Sequence, residues 1–358
     1  MNSSDIAHLR LISQGIAHPT ASSPGEVVSH LGALQAQDYP GALWTLGLRI
    51  PGSTQSTIEQ AIDARRIVRT WAMRGTLHFV PPDDVRWMLD LFAPRLISGA
   101  AARRRALEID DEVIEQARSV IVPELQQHSV RTRSELCALL ERSGIATAGQ
   151  RGIHILRHLS LQKVLCFGPH QQKQPTFVLL DEWVPHHSSL TEQEALHLLA
   201  LRYFTSHGPA TLQDFASWSG LALGRAKIGL SSALQELQEI SCSGEAYYLS
   251  KQTKQYTNNA QGFLLPGFDE FMLGYRNRSA ALPNAYANRI CPGGNGMFLP
   301  TIVFDGQVIG TWKKRTRTHD VVIAPELFMT IPVGQRQAFS DATTQYGKFL
   351  QKSIEIAW

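Results

Sequence analysis

The apolar positions along the chain change period several times, and each change marks an element. Val27, Leu31 and Leu34 recur four and three apart, the spacing of one helix face. That helix has a clear start: Ser23 at the cap, Pro24 at the first helical position, and Glu26 placed to complete a capping box. The pattern predicts further helices over 5–14 and 56–65. Between them, Asp38-Tyr39-Pro40 breaks the period and opens a helix carrying Ala42, Leu43, Leu46 and Leu48. In "RIVRTWAMRGTLHFVPP" two β-rich runs flank Arg74-Gly75, which predicts a hairpin. Three helices followed by a hairpin is the order of a winged helix.

The same order recurs. A helix from Asp110, then "RTRSELCALLERSG", "GQRGIHILRHLSLQK" and the runs "VLCFG" and "TFVLLDEWV" make a second block. "TEQEALHLLALRYFTSHG", "ATLQDFASWSGL" and "ALGRAKIGLSSALQELQ", with "ISCSG" and "AYYLS", make a third, and Thr211 with Asp214 predicts another capping box. The remainder differs in kind. Asp305-Gly306 marks a hairpin in "PTIVFDGQVIGTW", short β-runs follow at 321–323 and 328–331, and a closing helix spans 333–351. The expected fold class is α+β: three tandem winged-helix motifs followed by a C-terminal β-barrel-like module. The expected divisions are 1–95, 96–187, 188–258 and 259–358.

Composition narrows the class. At 358 residues and 43% apolar content the chain can bury a large core. No apolar window reaches the roughly 18 residues that span a bilayer, and no signal-peptide pattern opens the chain. Cys137, Cys166, Cys242 and Cys291 lack the spacing of a disulfide framework or zinc site. A reduced, cytoplasmic monomer with no membrane partner is expected. The net charge is only +3, but residues 251–358 carry 12 Lys and Arg against 7 Asp and Glu, an excess that would suit a polyanion and that ordinary soluble faces also carry. No metal and no organic cofactor is expected. "CPGGNG" lacks the P-loop lysine, His186-His187 and the pair Cys166 and His170 have no matching partners, and there is no G-x-S-x-G elbow.

Four stretches, in order, carry a resemblance: "LQAQDYPGALW" with "GLRI" after it, "RTWAMRGTLHFVP", "LLPGFDEFMLGYRNR" and "PTIVFDGQVIGTWK". Together they span most of the chain, and it resembles the winged-helix DNA glycosylases related to AlkZ. The resemblance implies a C-shaped protein of three winged helices and a β-barrel that excises N7-alkylated purines and can unhook interstrand crosslinks. It also implies catalysis by a Gln-x-Gln motif, here Gln35-Ala36-Gln37; a sister branch has Gln-x-Asp.

The residues themselves bear on this chemistry. Two apart on a continuous helix, side chains diverge by about 200°. For Gln35 and Gln37 to act together, the helix must end near Gln35 and leave Gln37 in a turn. An N7-alkylated purine is already cationic and leaves as a neutral base, so no general acid is needed. The oxocarbenium-like transition state, for which most glycosidases supply carboxylates, could then be served by a positioned water and amide dipoles. By composition alone, however, a glutamine pair at a helix end is ordinary solvated surface. Asp38 is a second catalytic candidate, because its carboxylate would lie near such a water; it could equally be only a helix cap.

For duplex DNA bearing alkylated or crosslinked purines, the candidate contacts are Arg69, Arg74 and His78 on the first hairpin and Lys313, Arg315 and Arg317 in "TWKKRTRTHD". Strand alternation puts the last three on one face, which could track phosphates or could merely blunt an edge strand. Asp269, Arg276 and Arg278 read as an internal ion-pair set, and Trp71 as core. The expected activity is a monofunctional DNA glycosylase with a groove-facing site. The rival is a non-enzymatic winged-helix transcriptional regulator, which would bind DNA without turnover. A protein-interaction scaffold would show no salt-dependent DNA binding.

Overall fold

Helices begin where a side-chain acceptor stands just ahead of an unpaired N–H. Ser23 Oγ accepts from Glu26 N–H at 3.3 Å and starts helix Pro24–Leu31. The Glu26 carboxylate turns to Ser22 instead of back to Ser23, so this expected capping box is only half formed. Thr211 and Asp214 bond each other's backbones at 3.1 Å and start Leu212–Ser219 as a complete box. Thr132 and Glu135 do the same for Arg133–Arg142. This computed structural model describes residues 2–171, 174–186, 189–253 and 261–358. The expected divisions at 187/188 and 258/259, and His187, lie outside them.

The chain folds into two compact units, one of residues 1–58 with 196–358 and one of residues 59–195. In the second unit, strands Val68–Met73 and Thr76–Val80 form the hairpin expected around Arg74-Gly75. Its first strand also pairs with Leu165–Phe167, through Arg69 and Phe167, and that strand continues to Thr176–Leu179 and Arg131–Thr132. Two hairpins separated by most of a hundred residues thus share one antiparallel ladder. Trp71 packs as core, 5.0 Å from Phe167 between ring centres, while Phe167 lies 4.6 Å from Phe177.

Helix Arg151–Leu161 of this unit buries His158. Burial, aided by the Arg104 charge and opposed by Asp111, pushes its pKa down to about 4. Because the folded value lies below the unfolded one, near 6.5, the unfolded chain binds the extra proton. The resulting stability is present above the unfolded value and is lost as pH falls through the folded one. Between pH 7 and pH 4, wild type is expected to lose roughly 2–3 kcal/mol more than His158→Gln, read from urea unfolding midpoints. Equal losses in the two proteins would remove His158 as the cause.

The first unit contains helices Ser3–Ser13, Pro24–Leu31 and Tyr39–Leu48, then most of Glu192–His207, Leu212–Ser219 and Leu223–Ala233, and hairpin Leu237–Cys242 with Glu245–Ser250. A five-stranded sheet follows, in the order Ser353–Ile356, Asp320–Leu327, Gln307–Thr316, Thr301–Phe304, Gly262–Leu265. Only the first pair is parallel. The sheet is open, half of the expected barrel, and helix Val333–Leu350 covers one face through Tyr346 against Trp312 and Trp44. The apolar run 328–331, expected as a strand, is irregular: the strand ends at Leu327, and Pro332 already caps the next helix. Among the described residues no helix is long and apolar enough to cross a membrane.

Candidate active site

The glutamine motif begins where helix Pro24–Leu31 stops. Gly32 has φ +77°, a backbone that side-chain-bearing residues rarely adopt, and it ends the helix several residues before the expected stop near Gln35. Leu34–Gln35 is therefore extended, not helical. Leu34 and Ala36 are fully buried, Gln35 is half-buried and Gln37 is exposed. The strand ends at Gln35, and Gln37 lies in the bend ahead of helix Tyr39–Leu48, the turn expected for it.

Gln35 is anchored through its backbone. Its N–H donates to Glu270 Oε1 at 3.0 Å, and Trp218 Nε1 donates to Glu270 Oε2 at 2.9 Å. Glu270 has no exposed surface. His207 Nε2 lies 3.4 Å from Oε2 without hydrogen-bond geometry, while its Nδ1 meets Ser206 Oγ at 2.8 Å. The Gln35 side-chain oxygen is itself buried and accepts no hydrogen bond from the protein. An amide oxygen in that state can accept one from water or substrate.

Asp38 precedes helix Tyr39–Leu48 but makes no side-chain cap bond, so the capping role expected of it is not taken. Its carboxylate instead lies over Gly41, where an added Cβ would come within 2.5 Å of Oδ2. Asp38 is exposed and lines a cavity of about 320 Å³ together with Trp44, Trp312, Lys313, Lys314 and Tyr346. Lys314 Nζ donates to Tyr346 Oη at 2.7 Å. Burial raises the Tyr346 hydroxyl pKa; Lys314 opposes the shift and Asp38 adds to it.

The other end of the same helix is fixed by Arg49, which is 1% exposed. Its guanidinium meets both oxygens of Asp269 at 2.9 and 3.1 Å and bonds Thr45 O and Gln14 O and Oε1. Those bonds match the five N–H donors of arginine. Asp269 also caps the following short helix by accepting from Phe271 N–H at 2.9 Å. The expected set of Asp269, Arg276 and Arg278 does not form, because Arg49 takes Asp269 and Arg278 Nε donates to Met272 O. Neither Glu270 nor Arg49 was legible as part of the site. The available signal was "GFDEFML", two adjacent acids within an apolar run, where unpaired charges are rarely buried.

Several expected DNA contacts are corrected. Arg69 and His78 are buried: the Arg69 guanidinium lies 5.0 Å from the Phe167 ring centre, and His78 Nδ1 meets Thr76 O at 3.0 Å. Arg74, half-buried at the turn with φ +50°, has Nη2 3.3 Å from His78 Nε2. Lys313 and Arg315 are exposed on the expected strand, with Lys313 loosely paired to Glu326 at 3.9 Å. Arg317 lies past the strand end, tied to Asp320 and Glu355 at 2.9 Å each, so the stripe ends at Arg315. Among the described residues no group of three or more His, Cys, Asp or Glu could hold a metal.

On this α+β frame, comparison with relatives places the chain among the DNA glycosylases. The family described as DNA glycosylase AlkZ-like matches residues 28–349, and the chain belongs to that family. An interstrand DNA cross-link repair glycosylase of Streptomyces sahachiroi is 25% identical over 325 residues, 85% of each chain. The solved structure of Streptomyces sahachiroi DNA glycosylase AlkZ superposes with a TM-score of 0.80 at 22% identity over 100% of both chains, a likeness of fold.

Proposed function

We propose that this DNA glycosylase hydrolyses the N-glycosidic bond of cationic N7-alkylated guanines in duplex DNA, including guanines joined in interstrand crosslinks. The observation that carries the reading is the Gln35 side-chain oxygen, an acceptor with no partner in the protein, beside exposed Gln37. Gln35 and Gln37 hold the attacking water and orient their dipoles toward the positive charge developing on the sugar. The water oxygen bonds to C1′ as the C1′–N9 bond breaks. That bond's electron pair goes to the purine and neutralises its cation, and the water proton passes to Asp38 or to solvent. Since the base leaves already activated, no general acid is required of the protein. Arg74, Lys313 and Arg315 contact phosphates; Arg69 and His78 are buried and Arg317 is ion-paired, and they take no part. The three helix–hairpin blocks are read as tandem winged helices carrying the duplex, and the Streptomyces sahachiroi relative, a cross-link repair glycosylase, supports the wider substrate range.

The test is base release from duplexes carrying one N7-methylguanine, one O6-methylguanine or one N7-linked guanine crosslink. Abasic product from the two cationic substrates, with none from the neutral lesion, is expected. Intact N7-methylguanine and crosslinked duplexes, alongside retained DNA binding, would overturn it.

A further inference from the structure

We infer that Glu270 is the positioning residue of the active site: it sets the reach of Gln35 by holding its backbone, without touching the substrate. The inference rests on the function proposed above and deepens it. Gln35 sits in a short extended stretch between the end of one helix at Leu31 and the start of the next at Tyr39. Because its amide oxygen accepts nothing from the protein, no bond at that atom fixes where it points. The backbone must do so, and the Gln35 N–H is held by a carboxylate 235 residues further along the chain. That carboxylate is rigidly placed. It is fully buried, its second oxygen is bonded to Trp218, and Trp218 lies 4.9 Å from Tyr203 between ring centres.

The neighbouring acid extends the hold. Asp269 fixes Arg49 at the C-terminal end of helix Tyr39–Leu48, and Trp44 Nε1 on that helix donates to Leu264 O at 2.7 Å. The segment around 264–270 thus grips the motif at Gln35 and the helix after it at two points. A carboxyl that accepts through both oxygens holds Gln35 N–H from a fixed point, which suits a position whose displacement is costly: about 1 Å of misplacement can cost about 100-fold in rate.

The deciding experiment compares wild type, Glu270→Gln and Trp218→Phe, each alone and combined with Gln35→Ala. Single-turnover excision of N7-methylguanine is read beside DNA affinity and deuterium uptake in the peptide spanning residues 33–38. In Glu270→Gln the new NH₂ must face either Gln35 N–H or Trp218 Nε1–H. Excision is therefore expected to slow by about 100-fold at unchanged DNA affinity, with faster uptake at the Gln35 amide. In the Gln35→Ala background the same change should cost nothing more, because the group being positioned is already gone. A purely structural role would slow both backgrounds alike, and that additivity would overturn the proposal, as would full activity in Glu270→Gln. Should Glu270→Gln fail to fold, Trp218→Phe carries the test: it loosens only the second oxygen, and its smaller loss must also vanish in the Gln35→Ala background. If wild type releases no base from any lesion, the proposed function fails, while unchanged uptake at the Gln35 peptide would separately overturn the clamp.

Discussion

Gln35→Ala and Gln37→Ala are each expected to slow single-turnover release of N7-methylguanine by about 100- to 1,000-fold, the usual effect of removing one preorganised dipole from a charge-stabilising site. DNA affinity should stay close to wild type, because neither amide is a phosphate contact. The two should not weigh equally in stability. Gln35 is half-buried with its oxygen buried, so truncation there removes packing as well as an acceptor, whereas Gln37 is exposed. Gln37→Ala is the cleaner probe: a rate loss at unchanged melting temperature leaves chemistry as its only explanation. The double variant should be little slower than either single one if the pair acts on one water. Wild-type rates in both single variants would remove the motif from the mechanism. Asp38→Asn separates the proton's destination, since an unchanged rate assigns it to solvent.

Arg49→Met should destabilise the protein by about 3–5 kcal/mol, a large share of the stability of any domain. Its guanidinium and Asp269 are 1% and 0% exposed, so removing one partner leaves a bare carboxylate in the interior. The loss would be read from the urea midpoint at constant slope. Adding Asp269→Leu should recover most of it, because two apolar residues cost less to bury than one orphaned charge. The recovered stability should not restore excision, as Asp269 caps the short helix that presents Glu270 to Gln35. A single variant as stable as wild type would mean that water reaches Asp269.

What sequence alone reveals about this protein is what its local chemistry enforces. The strand turn at Arg74-Gly75, the hairpin at Asp305-Gly306 and the Thr211–Asp214 box depend on residues a few positions apart, and each forms as the pattern predicts. The glutamine motif reads in the sequence as a pair of amides beside a break, and the break forms, made by Gly32, the extended Leu34–Gln35 and the bend at Gln37. Among the readings that required correction, those of the charged side chains turned on where each one packs in the folded chain. Alternation puts Lys313, Arg315 and Arg317 on one face but cannot say that Asp320 and Glu355 neutralise the last of them. A cationic hairpin does not announce which of its side chains turn inward, as Arg69 and His78 do.

Only the tertiary structure could assign Glu270 to Gln35 and Asp269 to Arg49, across 235 and 220 residues. The physical reason lies in the energetics of buried charge. A carboxylate can remain in the interior only where specific donors meet it, and those donors become neighbours only when the chain has folded. Local sequence therefore supplied the groups proposed to react, and long-range burial decided how they are held.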